Sequence, residues 1–119
     1  MNQEASAPFA SIAIAEKRQA TRRPLFCKVR LISNGQMIEG RTLDISVDGI
    51  AMMLDVNPAI GYHYSLQLPL PGADGLPHHL QLRVQVLHTV LAKDSFRVGL
   101  KFVAPDTQAK TLIKNFVSS

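Results

Sequence analysis

From Leu25 onward the chain alternates. Leu25, Cys27, Val29 and Leu31 share one parity, and Phe26, Lys28 and Arg30 the other. That is the period of a strand with one face on a core. Asn34-Gly35 follows, and both residues tolerate positive φ, so a tight hairpin is predicted there. The second strand runs over about 37–46, with Gly40 as the expected bulge. Asp48-Gly49 marks a turn into IAMMLDV. Asn57-Pro58 and Gly61 form a loop before YHYSLQLPL, where Tyr64, Leu66, Leu68 and Leu70 lie on one face. The Gly- and Pro-rich PGADGLPHH, residues 71–79, predicts a loop. LQLRVQVLHTVL alternates at Leu80, Leu82, Val84 and Val86, AKDS is a turn, and FRVGLKFV alternates at Phe96, Val98, Leu100 and Phe102. Then the period changes. Leu112, Ile113 and Phe116 recur at helical spacing, which predicts a helix over about 106–117 with Pro105 or Asp106 in its first turn.

Six short antiparallel strands and one helix predict an all-β fold with a C-terminal helix. A six-stranded antiparallel β-barrel suits it best, because closing the sheet removes exposed edges and the helix can plug an open end. Residues 1–15 are rich in Ala and Ser without a period and are expected to form a flexible tail; the domain is expected over 16–119.

Composition narrows the function classes. A chain of 119 residues is one domain, and 46% apolar content supports a core and excludes wholesale disorder. No apolar run nears the roughly 18 residues of a membrane helix, and the N-terminal order of charges is wrong for a secretory signal. One cysteine, Cys27, excludes a disulfide framework or a Cys-based zinc site, and a cytoplasmic setting is expected. The net charge of +4 is unevenly placed. Residues 1–30 hold six basic and two acidic side chains, whereas residues 31–119 hold seven of each. An anionic partner met by the N-terminal part would explain this; a solvated basic linker is the plain alternative.

Two segments carry chemistry. RQATR places Arg18 and Arg22 four apart, with Lys17 and Arg23 flanking. Arginine offers a flat fork of donors that grips phosphate or the O6/N7 edge of guanine, or stacks on a base. In DISVDG, Asp44 and Ser46 share a parity opposite Leu43 and Ile45, so they are expected to point outward at a strand end. A carboxylate suits the adjacent N1–H and N2–H donors of guanine, and Gly49 is expected to supply positive φ and close backbone approach. Alone, the second segment is equally a plain turn in which Asp44 or Ser46 satisfies turn amides.

Taken together, RQATR at 18–22 and DISVDG at 44–49 resemble the PilZ domain family, whose signature is RxxxR followed by D/NxSxxG. RVGLKFV, with Gly99 three before Phe102, and the C-terminal helix also look like the family, and the likeness covers about 16–117. The resemblance implies a split-barrel-type fold that binds cyclic di-GMP, a bacterial second messenger. It implies that Arg18 and Arg22 contact phosphate and guanine, that Asp44 and Ser46 contact a guanine, and that Gly49 shapes the turn. Arg23 and Lys17 are given auxiliary electrostatic roles. The expected device is a receptor that relays the signal to a protein partner by ordering residues 16–23, in motility, biofilm attachment or polysaccharide export. Like charges at 17, 18, 22 and 23 and the lack of an apolar anchor suggest that this segment is mobile without ligand.

Other features are expected to be structural. His63, His78, His79 and His88 have no metal-ligand spacing and are expected to be loop-surface histidines, and Cys27 is expected to be a buried thiol. No catalytic motif occurs, so an enzyme is not expected, and neither is a cofactor or metal. One alternative is a small basic barrel for single-stranded nucleic acid, disfavoured by 6% aromatics, no tryptophan and a neutral 31–119 segment, so no nucleic acid is expected. Another is a PilZ-like protein-interaction module, whose mark would be an eroded signature.

Overall fold

The computed structural model describes residues 21–119. The expectations for the 1–15 tail, for Lys17 and Arg18, and for most of the 16–23 segment lie outside the described residues. The elements are β1 (Arg23–Pro24), β2 (Lys28–Ser33), β3 (Gln36–Ile45), β4 (Gly49–Leu54), β5 (His63–Pro71), β6 (Pro77–Ala92), β7 (Ser95–Phe102) and α1 (Thr107–Ser118). Six strands run antiparallel in the order β3-β2-β5-β6-β7-β4, and β4 pairs back onto β3 to close a barrel. β1 is a two-residue addition against the end of β3, with Arg23 opposite Ile45 and Pro24 opposite Asp44.

The alternation seen in the sequence builds the core. Leu31, Ile45, Met52, Leu66, Leu68, Val84, Val86 and Val98 point inward and are buried, each contributing roughly 1.5–3 kcal/mol by leaving water. Asn34 (φ 51) and Gly35 (φ 78) form the β2–β3 turn, both left-handed as the hairpin's twist requires. α1 opens at Asp106, whose carboxylate caps the helix by accepting from the Ala109 amide at 2.7 Å. Asp106 therefore sits just before the first turn. Ala109, Ile113, Phe116 and Val117 pack on the core, nearest β5.

Three local expectations change. First, the loop expected at 71–79 is shorter. β5 and β6 pair without a break from His63↔Gln85 to Pro71↔Pro77, and the turn closes with Gly72 N–H on the Leu76 carbonyl at 3.0 Å. Beyond Gln67, β5 no longer pairs with β2, so Pro69 and Pro71 occupy a one-sided strand where a missing donor is tolerated. Second, the strand expected from Leu25 is interrupted at 25–27, between β1 and β2. The Thr42 hydroxyl fills that gap, accepting from the Cys27 amide at 3.0 Å and donating to the Leu25 carbonyl. Phe26 is extruded there and is 77% exposed. Third, Gly40 is not a bulge. It lies in regular pairing with Leu54, and a Cβ on it would meet Leu54 Cδ2 at 2.4 Å.

The bulges lie elsewhere. The β3–β4 ladder shifts register between Thr42 and Asp44, and the β6–β7 ladder shifts between Val86 and His88. Each extra residue, Leu43 or Leu87, turns the following side chains to the other face.

Candidate functional site

The first bulge decides which way Asp44 faces. Along β3, Ile38, Gly40 and Thr42 take the inward parity, and Thr42 is buried. Without Leu43 as an extra residue, Asp44 would follow Thr42 inward. With it, Ile45 points into the core and Asp44 sits on the outer surface, its side chain 24% exposed. The outward placement expected for Asp44 is therefore observed, but simple parity is not its reason.

Ser46 departs from the expectation. It is fully buried rather than outward-facing. Its Oγ accepts from the amides of Asp48 (3.2 Å) and Gly49 (3.3 Å), while the Ser46 amide donates to the Gly49 carbonyl at 2.9 Å. The strand ends at Ile45, so parity no longer governs the next residue, and the turn folds the hydroxyl under itself to satisfy its own amides. Gly49 also differs in part. It lacks positive φ; its requirement is close approach, since a Cβ would stand 2.2 Å from the Leu100 carbonyl oxygen of β7.

Arg22 joins the two motif segments. Its Nε donates to Asp44 Oδ1 at 2.6 Å and its Nη1 to Ser46 Oγ at 3.3 Å. Arg22 is about half exposed, so the ion pair is screened and contributes at most about 1 kcal/mol to stability. The larger consequence is positional, because one half-exposed guanidinium is held over one carboxylate and the turn hydroxyl beside it. Arg23 faces the other way. Its Nη1 donates to the Phe116 carbonyl (2.7 Å) and to Ser119 Oγ (2.6 Å), and its guanidinium lies 4.1 Å over the Phe116 ring. A cation there suits the negative end of α1. Arg22 and Arg23 are thus both anchored, and where no apolar anchor was expected for the 16–23 segment, Arg23 finds one in the Phe116 ring. The anchors are a carboxylate and an aromatic ring distant in sequence, invisible to local pattern.

Across the sheet, Asp44 begins a row on the outer face. It pairs with Ala51 on β4, Ala51 with Gly99 on β7, and Gly99 with His88 on β6. Leu43 and Leu87, the two extra residues, each precede an end of this row. Next to it, Arg97 brings Nη2 to 3.9 Å from Asp44 Oδ2, so Asp44 lies between two arginines. Arg97 was not among the residues singled out from sequence, and His88 was named there only as a histidine without metal-ligand spacing. Alternation places Arg97 on the outer face of β7, but only the register of β7 on β4 and β4 on β3 brings it to Asp44.

A hollow of about 880 Å³ lies beside Lys28, Arg41, Met53 and His79 and includes none of Arg22, Asp44, Ser46 or Gly49. Among the described residues no three of His, Cys, Asp and Glu gather as a metal site. Cys27 is half-buried, its sulfur 3.5 Å from the Thr42 hydroxyl. No helix among the described residues is long and apolar enough to cross a membrane.

A family model described as PilZ domain matches residues 16–119. No curated protein sequence matches the chain. Among solved structures, the fold is similar to the inhibitor of motility MotI/DgrA of Bacillus subtilis, at TM-score 0.76 and 16% identity, covering 87% of this chain and 50% of that one. It is similar to the PilZ domain with c-di-GMP of YcgR from Escherichia coli, at TM-score 0.65 and 15% identity over 87% and 90% of the two chains. It is also similar to MrkH in the K. pneumonia MrkH–c-di-GMP complex, at TM-score 0.68 and 15% identity over 88% and 52%. At these identities the likeness is one of fold. The chain spans about half the length of MotI/DgrA and of MrkH.

Proposed function

This chain belongs to the PilZ domain family, and from that premise we propose that it is a receptor for cyclic di-GMP. The observation that carries the reading is Arg22. The second arginine of RxxxR lies directly on the first residue of DxSxxG, at 2.6 Å, on the barrel's outer surface. Two segments separated by a strand hairpin meet there with complementary chemistry. Similar folds named as bound to c-di-GMP, in YcgR and MrkH, support the choice of ligand.

In this reading Asp44 accepts from the N1–H and N2–H edge of a guanine, and Arg22, with Arg18, grips phosphate and the opposite guanine edge. Ser46 does not touch the ligand. Buried under the turn, it holds the Gly49 amide and steadies Arg22. Arg23 fastens β1 to α1 and so fixes where the arginine segment leaves the barrel. The ligand draws the preceding segment onto the Asp44–Gly49 face, and a protein partner reads the surface so formed, an order-on-binding relay.

Calorimetric titration tests the reading. Cyclic di-GMP should bind, whereas cyclic di-AMP, GTP and a short oligonucleotide should bind far more weakly. Adenine lacks the N2 donor that Asp44 requires. Equal affinity for the two cyclic dinucleotides, or none for cyclic di-GMP, overturns it.

A further inference from the structure

The hollow of about 880 Å³ lies on the outer face of the barrel, away from the motif residues. β2 and β3 form its middle. His79 and Gln81 of β6 stand at one side, and Met53 and Asp55 at the other. Val29 and Leu31 are buried inward, so Lys28 and Arg30 point out into it, and Arg41 joins them from β3. All three cations are exposed.

The charges are placed against each other. Lys28 and Arg41 are direct partners across the β2–β3 ladder. Like charges in that position repel and weaken the pairing. Among the described residues neither has an ion-pair partner. Arg30 is opposite Glu39, but at 3.7 Å that contact is beyond hydrogen-bond range. Three cations therefore share the middle of the hollow with one carboxylate, and Asp55 stands at its rim. An anion set between Lys28 and Arg41 would turn one repulsion into two attractions.

The surroundings say which kind of anion fits. Glu39 and Asp55 would repel a continuous phosphate chain, and no Phe, Tyr or Trp lines the hollow for a base to stack on. Met53 and Pro69 instead offer apolar contact between the charges. Acidic and apolar groups at short intervals are what a polypeptide presents. From β6 to β4 the hollow crosses four strand spacings, about 19 Å along the sheet. An extended segment of about six residues covers that distance.

We propose that this hollow docks an acidic segment of a partner protein, with carboxylates seated between Lys28 and Arg41 and on Arg30. The face is separate from Asp44 and its arginine, and the proposal does not rest on the chain binding cyclic di-GMP.

NMR titration of the full chain with a hexapeptide of alternating glutamate and leucine tests it. The same peptide with glutamine for glutamate, and oligo(dT) as a nucleic-acid probe, are the comparisons. Amide shifts should concentrate at residues 28–30 and 39–41, and the glutamine peptide should give a far weaker response. Lys28→Glu should weaken binding of the acidic peptide about tenfold or more. Lys110→Glu, on the exposed face of α1, makes the same change in net charge and should leave binding unaltered. Lys28→Glu should also raise the urea midpoint, because an attracting cross-strand pair replaces a repelling one, and Lys28→Gln should raise it less. Shifts spread over every basic face or centred on Arg22, equal losses in Lys28→Glu and Lys110→Glu, or a stronger response of these residues to oligo(dT) overturn the proposal. So does a urea midpoint that falls in both Lys28 variants, since the two cations are then not held against repulsion. None of these outcomes touches the receptor reading, which its own titration decides.

Discussion

The two halves of the barrel are built differently. On one side β5 and β6 pair through nine consecutive positions without a shift, and alternation holds along β5 from Leu66 to Leu70. On the other side both β3–β4 and β6–β7 contain a one-residue shift. The regular half buries apolar surface and satisfies backbone groups through an unbroken ladder. The shifted half turns Asp44 and His88 outward, buries Thr42 and Ser46, and brings Gly49 and Gly99 against neighbouring atoms. The shifts give up regular pairing at two places and in return aim polar side chains at one outer face. Fold stability is therefore expected to reside mainly in the regular half, and ligand recognition in the shifted one.

The largest effect should come from the regular half. Leu66→Ala empties a fully buried position on β5. It should cost about 2–5 kcal/mol of unfolding free energy, read as a fall in the urea midpoint. Whatever remains folded should bind the nucleotide with unchanged affinity. A stability loss below about 1 kcal/mol would break the division between halves.

Next in size, Arg22→Ala should weaken cyclic di-GMP binding by about tenfold to over a hundredfold, the equivalent of roughly 1–3 kcal/mol. The urea midpoint should barely move, because Arg22 is half exposed and its ion pair is screened. Arg18→Ala should behave likewise in binding. If Arg22→Ala lowers stability as much as affinity, the arginine is structural and the comparison fails.

Thr42→Val probes the joint between the halves. It keeps the shape but removes the hydroxyl that bridges Leu25 and Cys27 across the interrupted strand. A loss of about 1–3 kcal/mol is expected, because a buried amide and a carbonyl lose their partner. Affinity should fall as well, since Pro24 and Asp44 are paired just beyond that joint. Stability lost without any change in affinity would show that the joint does not position the site.

The smallest effect separates two roles at one position. Asp44→Asn should keep more affinity than Asp44→Ala, since the amide oxygen still accepts from guanine. Titration of both variants reads the difference. Equal losses would mean that Asp44 serves mainly as the charged partner of Arg22 and Arg97.

Much of this architecture is legible in the chain itself. Alternation locates the six barrel strands, Asn34-Gly35 locates the first hairpin, the change of period locates α1, and the spacing of RQATR and DISVDG marks the motif segments. These are local properties, set by side-chain periodicity and by residues that tolerate positive φ. The direction in which the motif side chains point is not local. Leu43 and Leu87 look like any other apolar residues in alternating runs. Each becomes an extra residue only because the partner strand, β4 or β7, pairs around it, and a period of two reverses when one residue is skipped. The same holds for contacts between elements. Arg23 on Phe116, Arg97 beside Asp44 and His88 on Gly99 depend on which strands become neighbours and in what register. The sequence determines the strands and the residue types at the candidate site; barrel closure decides which of them share one outer face.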